Sequence, residues 1–200
     1  MIEITYSDNY VTIKRSELME KLQTMVSAKR YQHILRVEQQ ALEMVDQLGL
    51  NLDLEKVSIA ALFHDFAKDM DDQVMLKYAQ SYWPEVDLSG ENGNIWHGFA
   101  AAEIAREEYG VKDQSILNAI AAHTIGAYHM DTLALLIAVA DYIEPQRDFP
   151  QVEEARQLAK EDLTATFILK LAESLRRLLK DRQPLFEESV RIYNYWLTKK

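Results

Sequence analysis

Apolar residues recur at helical spacing along nearly the whole chain, and Gly and Pro seldom interrupt them. The pattern predicts a mostly α protein. A helix is expected from about Ser16 to Val26. A longer one carries Tyr31, Ile34, Val37, Ala41, Met44, Val45 and Leu48, with Gly49 where a C-cap wants a left-handed residue. Asp53 reads as the N-cap of a helix through Val57, Ala60, Ala61 and Phe63. Asp71 and Asp72 can cap another that ends before Pro84. Residues 84–94, with Pro84, Gly90 and Gly93, form the clearest loop. His97 is expected to open a helix that Gly110 closes. Asp113 starts one ending near His123, and Asp131 starts a very apolar one that stops at Pro145. Two more follow, over Leu163–Leu179 and Phe186–Trp196. The first dozen residues, through Tyr6, Tyr10 and Val11, fit an arm or a short strand. No linker or repeat divides the chain. The reading is a single all-α domain, an arm over residues 1–15 followed by one helical bundle over residues 16–200.

Composition supports a self-sufficient core. The chain has 200 residues, 48% of them hydrophobic, and a chain of this size buries roughly 70% of its unfolded surface. With no cysteine, disulfide scaffolds, thiolate catalysis and Cys-based metal sites are excluded. The opening Met1-Ile2-Glu3-Ile4 has no basic n-region, and the longest apolar run, Leu133 to Ala140, is far short of the ~20 residues of a membrane span. A cytoplasmic protein away from membranes is expected. The net charge of −10 repels nucleic acid polymers over most of the surface. It does not keep a small anion from a site with its own cations.

Four of the five histidines sit in apolar helical settings. A lone buried histidine usually hydrogen-bonds backbone and does nothing more. Two aspartates change that reading. Asp65 follows His64 at the end of Ile59-Ala60-Ala61-Leu62-Phe63. Asp141 is the only charge between Asp131 and Glu144, with Ile137 and Ala138 one turn before it. An ionised carboxylate in such surroundings needs a counter-charge or a metal. His33, His64, Asp65 and Asp141 offer two imidazoles and two carboxylates, a mixed set suited to Fe, Mn, Co, Ni or Zn. Adjacent residues on a helix diverge by about 100°, so His64 and Asp65 share an ion only near a helix end. His97 and His123 are left to hold a second metal or to grip a substrate.

The order of these residues resembles the HD-domain metal-dependent phosphohydrolase superfamily, and the flanking strings narrow it. Leu62-Phe63-His64-Asp65-Phe66-Ala67-Lys68-Asp69, Trp96-His97-Gly98, Asn118 through Gly126 and Ala140-Asp141-Tyr142-Ile143-Glu144-Pro145 resemble the bacterial YqeK-type symmetrical bis(5′-nucleosyl)-tetraphosphatases. The likeness runs from about Ser27 onward and takes in Arg147-Asp148-Phe149-Pro150. It implies a helical HD-domain bundle, iron in the site, and diadenosine tetraphosphate as substrate with ADP as product. His33, His64, Asp65 and Asp141 would hold the metal. Asp65, Lys68 and Asp69 would carry the catalysis. His33, His64, Lys68, Asp69, His97, His123, Thr124 and Arg147 would meet the substrate.

The chemistry can also be assembled from parts. Hydrolysis at phosphorus near neutral pH wants a hydroxide and a polarised phosphoryl oxygen, which a divalent ion supplies. Lys68 is placed to neutralise phosphate charge. Asp69 can orient water, hydrogen-bond a ligand histidine, or cap the next helix. Trp96 and Tyr142 can stack on a base or simply pack. The family often has His-Thr-Thr-Gly-Arg where this chain has His123-Thr124-Ile125-Gly126-Ala127, which shifts phosphate binding onto Arg147 or Lys68. The competing readings are another HD-type nucleotidase or deoxynucleotide phosphohydrolase, and a nucleotide-sensing module without turnover. Tyr193, Tyr195 and Trp196 pack internally or form a homodimer contact.

Overall fold

In the computed structural model, which describes residues 4–199, acidic caps explain much of where the helices begin. The helices are α1 (Arg15–Met25), α2 (Ala28–Gln47), α3 (Leu54–Phe63), α4 (Asp72–Tyr82), α5 (Gly93–Glu107), α6 (Gln114–Ala122), α7 (Thr132–Ile143), α8 (Val152–Leu158), α9 (Leu163–Lys180) and α10 (Glu187–Thr198). Among the described residues there is no strand. Asp53, Asp71, Asp113, Asp131 and Asp162 cap α3, α4, α6, α7 and α9 by accepting from the first-turn amides. Each such cap stabilises its helix by about 1 kcal/mol, so part of the acidic surplus serves the fold.

The core is one cluster. α2 packs on α3 and α7, α6 bridges α3, α5 and α7, and α9 covers α7. Phe63, Phe66 and Phe167 are fully buried, each contributing on the order of 1.5–3 kcal/mol. No helix of the described residues is long and apolar enough to cross a membrane.

Three details differ from the expected elements. The helix carrying His97 begins at Gly93, because the Asn92 side chain accepts from Asn94 N–H and starts it a turn earlier. The short α8 has too few residues to show a periodic stripe. The N-terminal segment, of which Met1 to Glu3 lie outside the described residues, contains a turn and folds back on the bundle. Thr12 N–H donates to Tyr109 O at 2.9 Å, and Ser7 Oγ donates to Glu55 at 2.9 Å.

Candidate metal centre

Two helix ends face each other at the centre of the bundle. α3 stops at Phe63 and α6 at Ala122, leaving His64 and His123 at their C-caps. The carbonyl end of a helix carries partial negative charge and favours a cation. Asp65 follows in the turn after α3. His33 comes from the second turn of α2, His97 from the second turn of α5 and Asp141 from the last turn of α7. Gly98 permits this assembly: a Cβ there would meet Ala121 O at 2.9 Å and the His123 ring at 3.2 Å. Gly126 has φ +80°, and a Cβ would strike Phe167 at 2.5 Å, so the chain leaving His123 must turn there without a side chain.

Each imidazole is held by Nδ1 and turns Nε2 inward. His64 Nδ1 lies 2.7 Å from Ala61 O, His123 Nδ1 2.8 Å from Ile120 O, and His97 Nδ1 3.0 Å from Gly93 O. A carbonyl only accepts, so these partners place the proton on Nδ1 and leave Nε2 a lone pair. His33 Nδ1 faces Glu144 Oε1 at 3.2 Å. Such outer partners orient metal-ligating histidines.

The inward atoms converge on two carboxylates. Asp65 Oδ1 lies 3.2 Å from His97 Nε2 and 3.7 Å from His123 Nε2. Asp65 Oδ2 lies 3.6 Å from both His33 Nε2 and His64 Nε2. Asp141 Oδ1 lies 3.1 Å from His33 Nε2. Two groups bring their ligand atoms within 4.8 Å of one another: His33, His64 and Asp141, and His64, Asp65 and His123. Asp65 thus turns one oxygen toward each end of the cluster.

The donor set fits a cation. His64 Nε2 is buried without a hydrogen-bond partner. His97 Nε2 and His123 Nε2 stand 3.0 Å apart, and the single Thr124 hydroxyl proton, 3.1 and 3.0 Å away, can serve only one of them. Buried lone pairs so crowded and unsatisfied are costly unless an ion meets them. Burial pushes the His64 pKa down and the His123 pKa well down, favouring the neutral, ligating form. Burial opposes ionisation of Asp65 and Asp141. At Asp141 the Arg147 guanidinium outweighs it and holds the carboxyl well below the usual carboxylate range.

Of the other expected residues, Lys68 Nζ donates to Asn94 Oδ1 at 3.0 Å and lies 3.3 Å from His97 Nδ1, beside the cluster. Arg147 Nη2 donates to Asp141 Oδ1 at 2.5 Å, the arginine partner that the apolar stretch before Asp141 does not contain. It borders a groove of about 870 Å³ lined also by Gln146, Phe149 and Arg156. Asp69 is not brought into the cluster. Its Oδ2 accepts from Ser27 N–H at 2.7 Å, and Asp71, not Asp69, caps α4. Trp96 is packed, its Nε1 donating to Leu88 O at 2.8 Å, and the Tyr142 ring lies tilted against Phe149 with centroids 4.7 Å apart. The Trp96 ring is buried and not free for a base, while Tyr142 is half-buried.

Three site residues were missed from sequence. Arg30 Nη1 donates to Asp65 Oδ2 at 2.6 Å. Arg30 precedes His33 by one helical turn, which is the signal that could have found it. Glu144 accepts from Arg36 Nε at 2.7 Å as well as facing His33, and although burial opposes ionisation, Arg36 helps hold its pKa down at about 2. Lys170, buried on α9, donates to the carbonyls of His123 and Thr124 at the end of α6; burial pushes its pKa down to about 8. A lysine within the apolar run Phe167 to Leu171 was its only trace.

Residues 30–146 match the family described as HD domain. The chain is 36% identical over 185 residues to a protein of Bacillus subtilis named bis(5′-nucleosyl)-tetraphosphatase, symmetrical, covering 92% of this chain and 98% of that one. A protein of the same name from Halalkalibacterium halodurans is 34% identical over 185 residues with the same coverage. A crystal structure from Clostridium acetobutylicum, described as a predicted HD superfamily hydrolase involved in NAD metabolism, superposes with a TM-score of 0.85 at 31% identity, covering 92% of this chain and 97% of that one.

Proposed function

This chain belongs to the HD domain family, and on that footing we propose that it hydrolyses diadenosine tetraphosphate, or a related dinucleoside tetraphosphate, symmetrically to two nucleoside diphosphates. The observation that carries the metal-dependent part of the reading is His64 Nε2, an unprotonated and unpartnered buried atom amid three further inward imidazoles and two carboxylates. The relatives' names supply the substrate.

His33, His64, Asp65 and Asp141 would hold a divalent ion, iron by the family resemblance, and His97 and His123 would hold a second or face the substrate. When bound, the ion makes water nucleophilic near neutral pH and polarises a phosphoryl oxygen. The chain's own groups do the rest. Asp65 presents one oxygen to each half of the imidazole cluster and fixes their spacing. Thr124 Oγ and Lys68 Nζ are donors on its edge, positioned to meet phosphate oxygens as charge builds. Arg147 lies between the cluster and the adjoining groove, so it can reach a second phosphate. A surface of net charge −10 does not attract a tetraphosphate, so these local cations do the recruiting. Water adds across a central P–O–P bond, and each half leaves as a nucleoside diphosphate.

The test is a product assay on protein purified anaerobically and supplied in turn with ferrous iron, manganese and cobalt. ADP as sole product from diadenosine tetraphosphate is expected. ATP plus AMP would relocate the cleavage. Inorganic phosphate or pyrophosphate would favour another HD-type nucleotidase. Bound nucleotide without turnover under any metal would favour a sensor.

A further inference from the structure

The turn that leaves α6 is held by a helix outside the HD-matched segment. That match covers residues 30–146, and α9 lies beyond it. Phe167 and Lys170 stand one helical turn apart, so they share a face of α9, and both press on residues 123–126. Phe167 lies against Gly126, where a Cβ would come within 2.5 Å of its ring. Lys170, 5% exposed, donates from Nζ to His123 O and to Thr124 O, the latter at 3.0 Å. Among the described residues no carboxylate pairs with it. An ammonium buried without a counter-charge is costly, and a methionine would fill the same space without that cost. What lysine adds is donors for those two carbonyls.

The two carbonyls belong to the peptide groups on either side of Thr124. Two soft dihedrals set the backbone of a residue, and with both flanking peptide planes tied, neither is free at Thr124. Its Cα–Cβ bond then has one direction, and Oγ stands 3.1 Å from His97 Nε2 and 3.0 Å from His123 Nε2. The His123 ring has an anchor of its own, Nδ1 against Ile120 O at 2.8 Å. The Thr124 hydroxyl has none: among the described residues it meets those two imidazole nitrogens and nothing else. Its place therefore depends on the backbone that carries it.

We propose that Lys170 is a positioning residue: it ties down the backbone on both sides of Thr124 and so fixes the hydroxyl where it donates to a nucleotide phosphate oxygen. Lys170 itself meets no phosphate and acts through Thr124. This rests on the nucleotide reading above and deepens it, because a donor on a turn binds phosphate well when it is already aimed and little ordering is left to be done on binding.

The experiment is a calorimetric titration of ADP into Mn²⁺-saturated protein, run as a double-mutant cycle over wild type, Lys170→Met, Thr124→Val and the pair. Each single variant is expected to bind ADP about tenfold weaker, the loss of one charge-assisted contact. Both remove the same contact, so the double variant should also be about tenfold weaker, and not the roughly hundredfold of independent effects. Mn²⁺ affinity should stay near wild type in Lys170→Met, because His123 keeps its own anchor. A hundredfold loss in the double variant would show that Lys170 acts apart from Thr124. Unchanged ADP affinity in either single variant would show that the hydroxyl meets no phosphate or needs no tying down, and a lysine that serves stability alone would give that result. A fall in Mn²⁺ affinity as large as the fall for ADP would show that Lys170 holds His123 for the ion. Each of these overturns the proposal. If Lys170→Met does not fold, Lys170→Gln takes its place in the cycle. Its side chain keeps a donor but is one atom shorter and cannot reach both carbonyls, so ADP affinity should still fall, and unchanged affinity there also overturns the proposal. Wild-type protein that binds Mn²⁺ but no ADP would instead sink the nucleotide reading itself.

Discussion

α2 carries two buried polar clusters that differ in one respect. At its N-terminal part His33 enters the central cluster. One and a half turns later Glu38, 4% exposed, enters a second network beneath the N-terminal arm. There Arg15 Nε and Nη2 donate to the two Glu38 oxygens at 3.0 and 2.6 Å. Ser58 Oγ also donates to Glu38, and Tyr6 OH lies 2.7 Å from Ser58 Oγ. Each side-chain oxygen of Glu38, Ser58 and Tyr6 meets a partner supplied by the protein, and the Arg15 and Glu38 charges cancel. The central cluster, on the same helix, ends in an orphaned His64 Nε2 and facing imidazole lone pairs. A satisfied network rigidifies a core, while an unsatisfied one waits for a ligand. Burial and charge alone would have ranked the two alike.

The largest break in this comparison comes from the unsatisfied side. His64→Ala or Asp65→Ala should abolish ion retention, read by metal analysis after desalting, and lower turnover by about a thousandfold or more, since a metal supplies several kcal/mol of transition-state stabilisation. Both variants should remain folded, because each removes a group the core does not need. Full activity in either would sink the ligand assignment. Next is Lys68→Ala. Its ammonium sits beside the cluster and not within it, so turnover should fall by about a hundredfold with metal content intact. Loss of the metal would move Lys68 into the holding of the ion.

The satisfied side should behave in the opposite way. Glu38→Gln strips Arg15 of its carboxylate and gives up charge-assisted hydrogen bonds of about 1.5–3 kcal/mol. Denaturant unfolding should show a loss of roughly 2 kcal/mol. Metal content and turnover of the folded fraction should stay at wild type. A variant that loses activity while keeping its stability would mean that the arm network reaches the site after all.

The same contrast explains what was legible in the sequence. The helices were, because aspartate caps and 3.6-residue periodicity are local. His33, His64, Asp65 and Asp141 stood out because a charged or ligating group amid Ala, Ile and Leu is anomalous on its own line of text. Arg30, Glu144 and Lys170 did not, since each looks like an ordinary helical charge until its partner, dozens of residues away, is known. Asp69 is the converse case. It neighbours Asp65 in sequence, yet the turn after α3 directs it to Ser27 N–H.

The smallest expected effect tests how far the site depends on its scaffold. Lys56 on α3 donates to Asp113 Oδ2 at 2.6 Å, and Asp113 Oδ1 accepts from Ile116 N–H as the N-cap of α6. The pair thus ties together the starts of the two helices whose ends deliver His64 and His123. Burial opposes ionisation of Asp113, but Lys56 and the cap amides lower its pKa below 3.8 in the folded state. A folded pKa below the unfolded one means that the unfolded chain takes up the proton first. The stabilisation is therefore present above pH 3.8 and lost as pH falls below it. Asp113→Asn keeps an oxygen for the cap and drops the ion pair. It should cost at most about 1 kcal/mol near neutral pH, and the difference from wild type in an unfolding series should close under acid. Turnover should not change, because the helix packing between this pair and the imidazoles involves several fully buried side chains, among them Ile59, Ala60, Ala119 and Ile120. A fall in turnover larger than the loss of stability would show that the imidazoles sit on helices free to shift along their axes, and that the site is positioned by its far ends as much as by its own contacts.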